Sequence, residues 1–278
     1  MLTEKPLAVR ASDADRVIAM AADRGLVVAV ALQHRLRREV SEARRLLQGG
    51  ALGTLHRAAV VAGYPKRSGY YRLGRWRGTW QGEGGGVLIN QGQHDLDTLC
   101  YLMGRPAWVS ARCSTRVQPI EAEDTAEAIV EWPSGATGSV HVTSAAVTGP
   151  ASLEVTGSRG RLRILPRALE LSENGTDFLS FAAAAGDPFD VPPAGPARVL
   201  HGGGGTHAEL YRDLTGALAA GRPPVAPALG ARDGLELANA ITMSARSGRP
   251  VTLPLDRAGY DQFLDRLQSA PVAPAASR

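Results

Sequence analysis

The sequence predicts a mixed α/β protein. A short strand–helix–strand unit at the N-terminus belongs to a doubly wound sheet. It is followed by a larger α/β (α+β) region with a big, mostly antiparallel sheet carrying helices on one face. Three observations lead there. A helical stripe at Val17, Ile18, Ala21 and Ala22 runs into the continuous apolar segment Val27 to Leu32, the pattern of a strand covered on both faces. Strand-like segments then recur between Trp108 and Leu165, separated by short turns, and short turns join antiparallel neighbours. Apolar residues at helical spacing return around Arg38, Leu96, Leu210 and Leu235.

In chain order, Ser12-Asp13-Ala14-Asp15 reads as an N-cap with an acid three residues on, and Gly25 ends that first helix. A second helix spans Arg38 to Leu47 and closes at Gly49-Gly50. His56 to Ala62 is a strand. Tyr64 to Gln81 is a loop rich in Trp, Tyr and Arg, a composition suited to contact with a ligand. From Val87 to Gly104 the pattern is helical, with Leu88, Ile89, Leu96, Leu99, Cys100, Leu102 and Met103 on one side. Asn90, His94, Asp97 and Tyr101 form a ridge on the other. That stretch contains no Lys, Arg or Glu, so its polar ridge is expected to line a cleft rather than meet open water.

Strands are expected at Trp108 to Val117, Thr125 to Trp132, Thr137 to Ala145, Ala151 to Thr156 and Arg161 to Leu165. Phe178 to Gly205 reads as a loop. Thr206 and Glu209 form a capping box for a helix to about Ala219, another helix covers Asp233 to Ser247, and Pro250 to Leu255 is a short strand. Domain boundaries follow: 1–35 as the remnant of a dinucleotide-binding domain, 36–256 as the substrate and oligomerisation domain, 257–278 as a terminal helix and flexible tail.

Composition narrows the function. Across 278 residues, 31 basic against 27 acidic side chains leave a formal charge of +4, too small a surplus to argue for nucleic acid. Two cysteines provide neither a disulfide framework nor a thiolate metal site. A metal held by His94 and Asp97 would need further ligands, so none is expected. No apolar run has the length of a membrane span and no signal-peptide pattern opens the chain, so no membrane partner and a cytoplasmic location are expected. Gly203 to Ala208 satisfies a relaxed dinucleotide fingerprint, but no strand precedes it, and it is not read as a phosphate site.

Glu4-Lys5-Pro6, the segment Gly84-Gly85-Gly86-Val87-Leu88-Ile89-Asn90-Gln91-Gly92-Gln93-His94-Asp95-Leu96-Asp97, and the closing Val251-Thr252-Leu253-Pro254-Leu255 together resemble the Gfo/Idh/MocA family (glucose–fructose oxidoreductase, inositol dehydrogenase, rhizopine catabolism protein). The resemblance implies a Rossmann domain followed by an α/β domain whose open sheet mediates homo-oligomerisation. It also implies hydride transfer between NAD or NADP and a sugar, cyclitol or related hydroxyl compound. By motif, Lys5 matches the family's lysine near nicotinamide and substrate, and His94 its catalytic histidine. Asn90 stands where a carboxylate is usual, so His94 carries more of the acid–base work. Glu4, Lys5 and Pro6 would border the cofactor, while Asp97, Tyr71, Trp76 and Arg77 would contact a sugar-like substrate.

The chemistry agrees with those residue types. Imidazole can accept the hydroxyl proton, and an ammonium group favours the developing alkoxide. The glycine turn that would hold a pyrophosphate is not found ahead of Glu4. A late start, a gene fragment or a split gene is therefore expected, as is weak NAD(P) binding by this polypeptide, with dissociation constants of about millimolar or worse. Two other readings remain open from sequence: a cofactor-independent lyase, isomerase or epimerase reusing Lys5 and His94, and a non-catalytic sugar-binding or interaction protein.

Overall fold

The computed structural model describes residues 1–270. The flexible tail expected from the sequence lies, from 271 onward, outside them.

Strand β1 (Leu2–Thr3), helix α1 (Ala11–Asp23) and strand β2 (Ala29–Val30) form the N-terminal unit, with β1 and β2 parallel. Of the long apolar run, only Ala29 to Leu32 is buried, while Leu26 is exposed. A 3-10 turn, Gln33–Leu36, leads into α2 (Arg38–Gln48), β3 (Leu55–Gly63), α3 (Ser68–Arg72) and α4 (Gln93–Met103). Then come β4 (Trp108–Ser114), β5 (Thr125–Glu131), β6 (Thr137–Thr143), β7 (Ser152–Gly157), β8 (Gly160–Leu165) and β9 (Ala168–Glu173). The chain continues through α5 (Phe178–Ala183), β10 (Arg198–His201), α6 (His207–Ala220), α7 (Ala228–Ser247), β11 (Val251–Thr252) and α8 (Arg257–Ser269).

Nine strands make one sheet in the order β10-β9-β8-β7-β3-β6-β5-β4-β11. Every pairing in it is antiparallel except β3 with β6. Strand alternation sets its two faces. Ala58, Val60, Ala126, Ala128, Val130, Val140, Val142, Leu153, Val155, Leu162 and Leu169 point into a core shared with α2, α4, α7 and α8. The opposite face carries Arg57, Val61, Glu127, Ile129, Ser139, His141, Glu154 and Arg161. Among the described residues no helix covers it, and Ile129 on β5 stands 60% exposed. No helix among the described residues is long and apolar enough to cross a membrane.

Several expectations need correction. Ser12 does not cap α1: Arg10 occupies that position and the Ser12 hydroxyl donates to Asp261 on α8 instead. The helix expected from Val87 begins only at Gln93. The N–H groups of Gly86 and Leu88 donate to the Glu123 carboxylate at 3.0 and 3.1 Å, and that of Val87 to the Glu123 carbonyl at 2.9 Å. Gly92 N–H then reaches five residues back to Val87, which puts the turns ahead of α4 out of helical phase. β9, α5 and β10 occupy stretches left without elements or read as loop. β10 is exposed at all four positions, so its pairing with β9 leaves no hydrophobic period in the sequence. The Thr206–Glu209 capping box is present on α6, and α7 starts five residues earlier than expected.

Candidate active site

The site is assembled where the loop after β1 meets the glycine-rich turns before α4. Those turns are wedged against the residues ahead of β5: a Cβ on Gly86 would lie 1.9 Å from the Glu123 carbonyl oxygen, so no other residue fits. This close approach fixes the backbone carrying Asn90. Lys5 crosses to it and its Nζ donates to the Asn90 carbonyl at 2.6 Å. Burial pulls the Lys5 ammonium below its ordinary pKa, against the opposing pull of Glu4 and Glu83. Glu4 itself is largely exposed and lies 4.0 Å from His207. The Lys5–Pro6 peptide is cis.

His94 is on the first turn of α4. Its ring stacks on His34 at 4.1 Å between centroids and 22° between planes. Arg37 donates to His34 Nε2 at 2.5 Å, which assigns that nitrogen as an acceptor and His34 as the Nδ1–H tautomer. Burial first, then the positive charges of Lys5 and Arg37 and the neighbouring His207, lower His94 to a pKa of about 4. Its Nδ1 is buried with no hydrogen-bond partner among the described residues. A neutral ring with an orphaned nitrogen beside a desolvated ammonium suits a ligand hydroxyl.

The aromatic loop adds one wall. Arg77 lies between Tyr70 and Trp76, its guanidinium 4.4 and 4.3 Å from their ring centres, and its Nη1 donates to the Tyr70 hydroxyl at 2.5 Å. Asn90 Nδ2 and Gln91 Nε2 reach the same hydroxyl at 3.3 and 3.2 Å. Trp76 is 47% exposed, leaving ring surface for a ligand. Tyr71, expected at the substrate, instead points inward: it is buried and its hydroxyl pairs with Ser144 at 2.7 Å. The two rings pack edge to face at 5.1 Å between centroids, and it is the Tyr70 hydroxyl that meets Arg77, Asn90 and Gln91.

Asp97, also expected at the substrate, is buried in the protein. It is 1% exposed and receives Arg35 Nε at 2.9 Å and Nη2 at 2.6 Å. The guanidinium goes on to the carbonyls of Val225 and Gly230 at 3.2 and 3.0 Å. Burial works against the Arg35 charge, but the attraction of Asp97 more than offsets it. Tyr101, the last member of the expected ridge, lies beneath Arg35 and Arg44. Asp97 and Tyr101 thus face protein, and the shortage of long charged side chains at that end of the ridge reflects burial.

Two further polar groups at the site were not singled out from sequence. Glu83 is 7% exposed; one carboxylate oxygen accepts from Gly78 N–H at 2.5 Å and the other from the Asn90 carboxamide. Burial raises its pKa, against the pull of those donors and of Arg77 and Lys5. Its signal was being the sole acid among the residues 82–92. His34 carried no signal, because stacking on His94 is a long-range event. Among the described residues, no group of three or more His, Cys, Asp or Glu is placed to hold a metal. The glycine run ahead of α6 is committed to the fold: Gly202 N–H bonds the Arg167 carbonyl, and Gly203 N–H bonds the buried Glu39 carboxylate at 2.7 Å. An anion cannot share that place with Glu39.

Comparison with known proteins finds relatives in both sequence and fold. Residues 40–163 match the model of the GFO/IDH/MocA C-terminal domain. An uncharacterized oxidoreductase of Schizosaccharomyces pombe is 28% identical over 138 residues, 48% of this chain and 36% of that protein. The myo-inositol 2-dehydrogenase of Thermotoga maritima is 25% identical over 167 residues, 57% of this chain and 47% of that protein. The aligned stretch therefore spans less than half the length of either relative. Among solved structures, the WlbA dehydrogenase of Bordetella pertussis, in complex with NADH and UDP-GlcNAcA, superposes with a TM-score of 0.74 at 26% identity, over 92% of this chain and 72% of that one. The WlbA dehydrogenase from Chromobacterium violaceum, in complex with the same two ligands, gives 0.73 at 28% identity, over 92% and 71%.

Proposed function

We propose that this chain, whose residues 40–163 match the GFO/IDH/MocA C-terminal domain, is a member of those oxidoreductases and serves hydride transfer between NAD or NADP and a secondary hydroxyl of a sugar, cyclitol or sugar nucleotide. The observation that carries the reading is the convergence of Lys5, Asn90 and His94. A desolvated ammonium grips the Asn90 carbonyl beside a neutral imidazole whose Nδ1 lacks a partner. The names of the relatives support the substrate class: one is a myo-inositol dehydrogenase, and two structural neighbours hold NADH with a uronic-acid sugar nucleotide.

In this reading a substrate hydroxyl lies between Lys5 and His94. His94 takes its proton, and the Lys5 ammonium favours the alkoxide that forms. The burial and positive neighbours that keep His94 neutral also make it a weak base alone, so proton transfer depends on Lys5 making the hydroxyl more acidic. Trp76 and Arg77, with Tyr70, bear on the substrate ring. A nicotinamide dinucleotide, when bound, accepts the hydride. Glu4, Lys5 and Pro6 fit its nicotinamide end, since Lys5 brings spare N–H donors into a desolvated place. The uncovered sheet face, with Ile129 and Val61, is where a second copy would pair.

Calorimetric titration of the chain with myo-inositol and with UDP-GlcNAcA tests the reading. At least one should bind, and Lys5→Ala and His94→Ala should each weaken it by about tenfold or more. Binding of neither, or binding indifferent to both substitutions, overturns it.

A further inference from the structure

Asn90 is held at three of its four polar groups. Its N–H bonds the Gly86 carbonyl at 3.1 Å, its carbonyl accepts from Lys5, and its Nδ2 donates to Glu83. The fourth, Oδ1, accepts from no described residue, and Asn90 is only half-buried. A carboxamide can sit either way round, and its partners decide which. Here the Glu83 carboxylate decides. An ionised carboxylate accepts and cannot donate, so the amide NH2 must face Glu83 and the amide oxygen must face away from it.

We propose that Glu83 is a positioning residue that fixes Asn90 with its Oδ1 toward the ligand, as an acceptor for a substrate hydroxyl neighbouring the one that reacts. This rests on the hydroxyl-oxidising reading above. It gives Asn90 a task different from proton exchange: selecting a substrate with two adjacent hydroxyls, one donated to Oδ1 and the other to His94. It also explains why an aspartate would not serve at this position in this chain. Asn90→Asp would bring a second carboxylate against Glu83, in a place already desolvated, and the two would have to share a proton. The charged and titratable groups facing Glu83 are Lys5 from the loop after β1 and Arg77 and Tyr71 from the aromatic loop, with Tyr70 joined to it through Asn90 and Arg77.

The test needs no turnover. In the isotope-labelled full chain, the Asn90 side-chain amide is identified by its loss in Asn90→Asp and followed with pH by NMR. Its resonance should move as Glu83 titrates, and Glu83→Gln should abolish that movement while the remaining spectrum stays dispersed. An Asn90 amide that ignores both pH and the substitution overturns the proposal. Binding of myo-inositol supplies the reciprocal check. Asn90→Asp and Glu83→Gln alone should each weaken it by about tenfold or more. The double variant restores one donor facing one acceptor, with a carboxylate oxygen free, and should recover to within about threefold of the unsubstituted chain. Double-variant binding no better than the singles counts against the proposal. If the unsubstituted chain does not bind myo-inositol, that outcome bears on the substrate reading, and the NMR arm decides the role of Glu83.

Discussion

Removing Asp97 separates two incompatible roles for that residue, substrate contact and buried anchor. In the structure its carboxylate receives two parallel N–H bonds from Arg35 at 2.9 and 2.6 Å, with both side chains almost wholly buried. Asp97→Ala leaves the guanidinium in place with the Val225 and Gly230 carbonyls and the Tyr101 ring, none of which carries the balancing charge. Breaking a buried pair from one side costs about 3–5 kcal/mol. A domain of ordinary stability has about 5–15 kcal/mol in total, so the loss is a large fraction of it. The effect should extend along the backbone, because α7 presses on this helix where Gly234 meets Asp97: a Cβ there would lie 2.9 Å from the Asp97 backbone. Urea denaturation measures it. With a slope of about 3 kcal/mol/M, the midpoint should fall by about 1 M or more. In a double-mutant cycle with Arg35→Ala, the two losses should fail to add by at least about 2 kcal/mol. A midpoint within about 0.2 M of the unsubstituted chain, with weakened myo-inositol binding, would refute the anchor and return Asp97 to the substrate.

Other expectations follow from the same geometry. Gly86→Ala forces a methyl into the Glu123 carbonyl and should destabilise by about 2 kcal/mol or more, read as a lowered melting temperature. The His94 ring should titrate near pH 4 by NMR, against 6.5 for a free imidazole. Because the folded state holds that proton less tightly than the unfolded chain, this linkage stabilises fully above pH 6.5 and is lost as the pH falls from 6.5 to about 4. A flat stability profile across that window would contradict a buried neutral His94. Ile129→Glu, on the uncovered sheet face, should weaken self-association in sedimentation without lowering the melting temperature by more than a degree or two.

Much of the architecture was legible because it is written in local periods. The alternation in β5 and β6 appears directly as buried and exposed positions, and the Thr206–Glu209 box closes as its spacing requires. Where local period is lacking, the reading stopped: β10 is paired by backbone alone, and its exposed Arg198 to His201 look like loop. The helical phase carried too far back, to Val87, because Glu123 captures backbone donors from far along the chain.

The sequence by itself determined the fold class, the order of nearly all elements, and Lys5, Asn90 and His94 as the residues to examine, since motif and periodicity are short-range properties. Only the tertiary structure decided what each polar group of the expected ridge does. Asp97 and Tyr101 look as available as His94 along one helix, yet Arg35 claims the first, Arg35 and Arg44 cover the second, and the third remains without a partner at Nδ1. The partner that satisfies a buried polar group comes from whichever distant segment packs against it, and the spacing of residues along one helix carries no record of that choice.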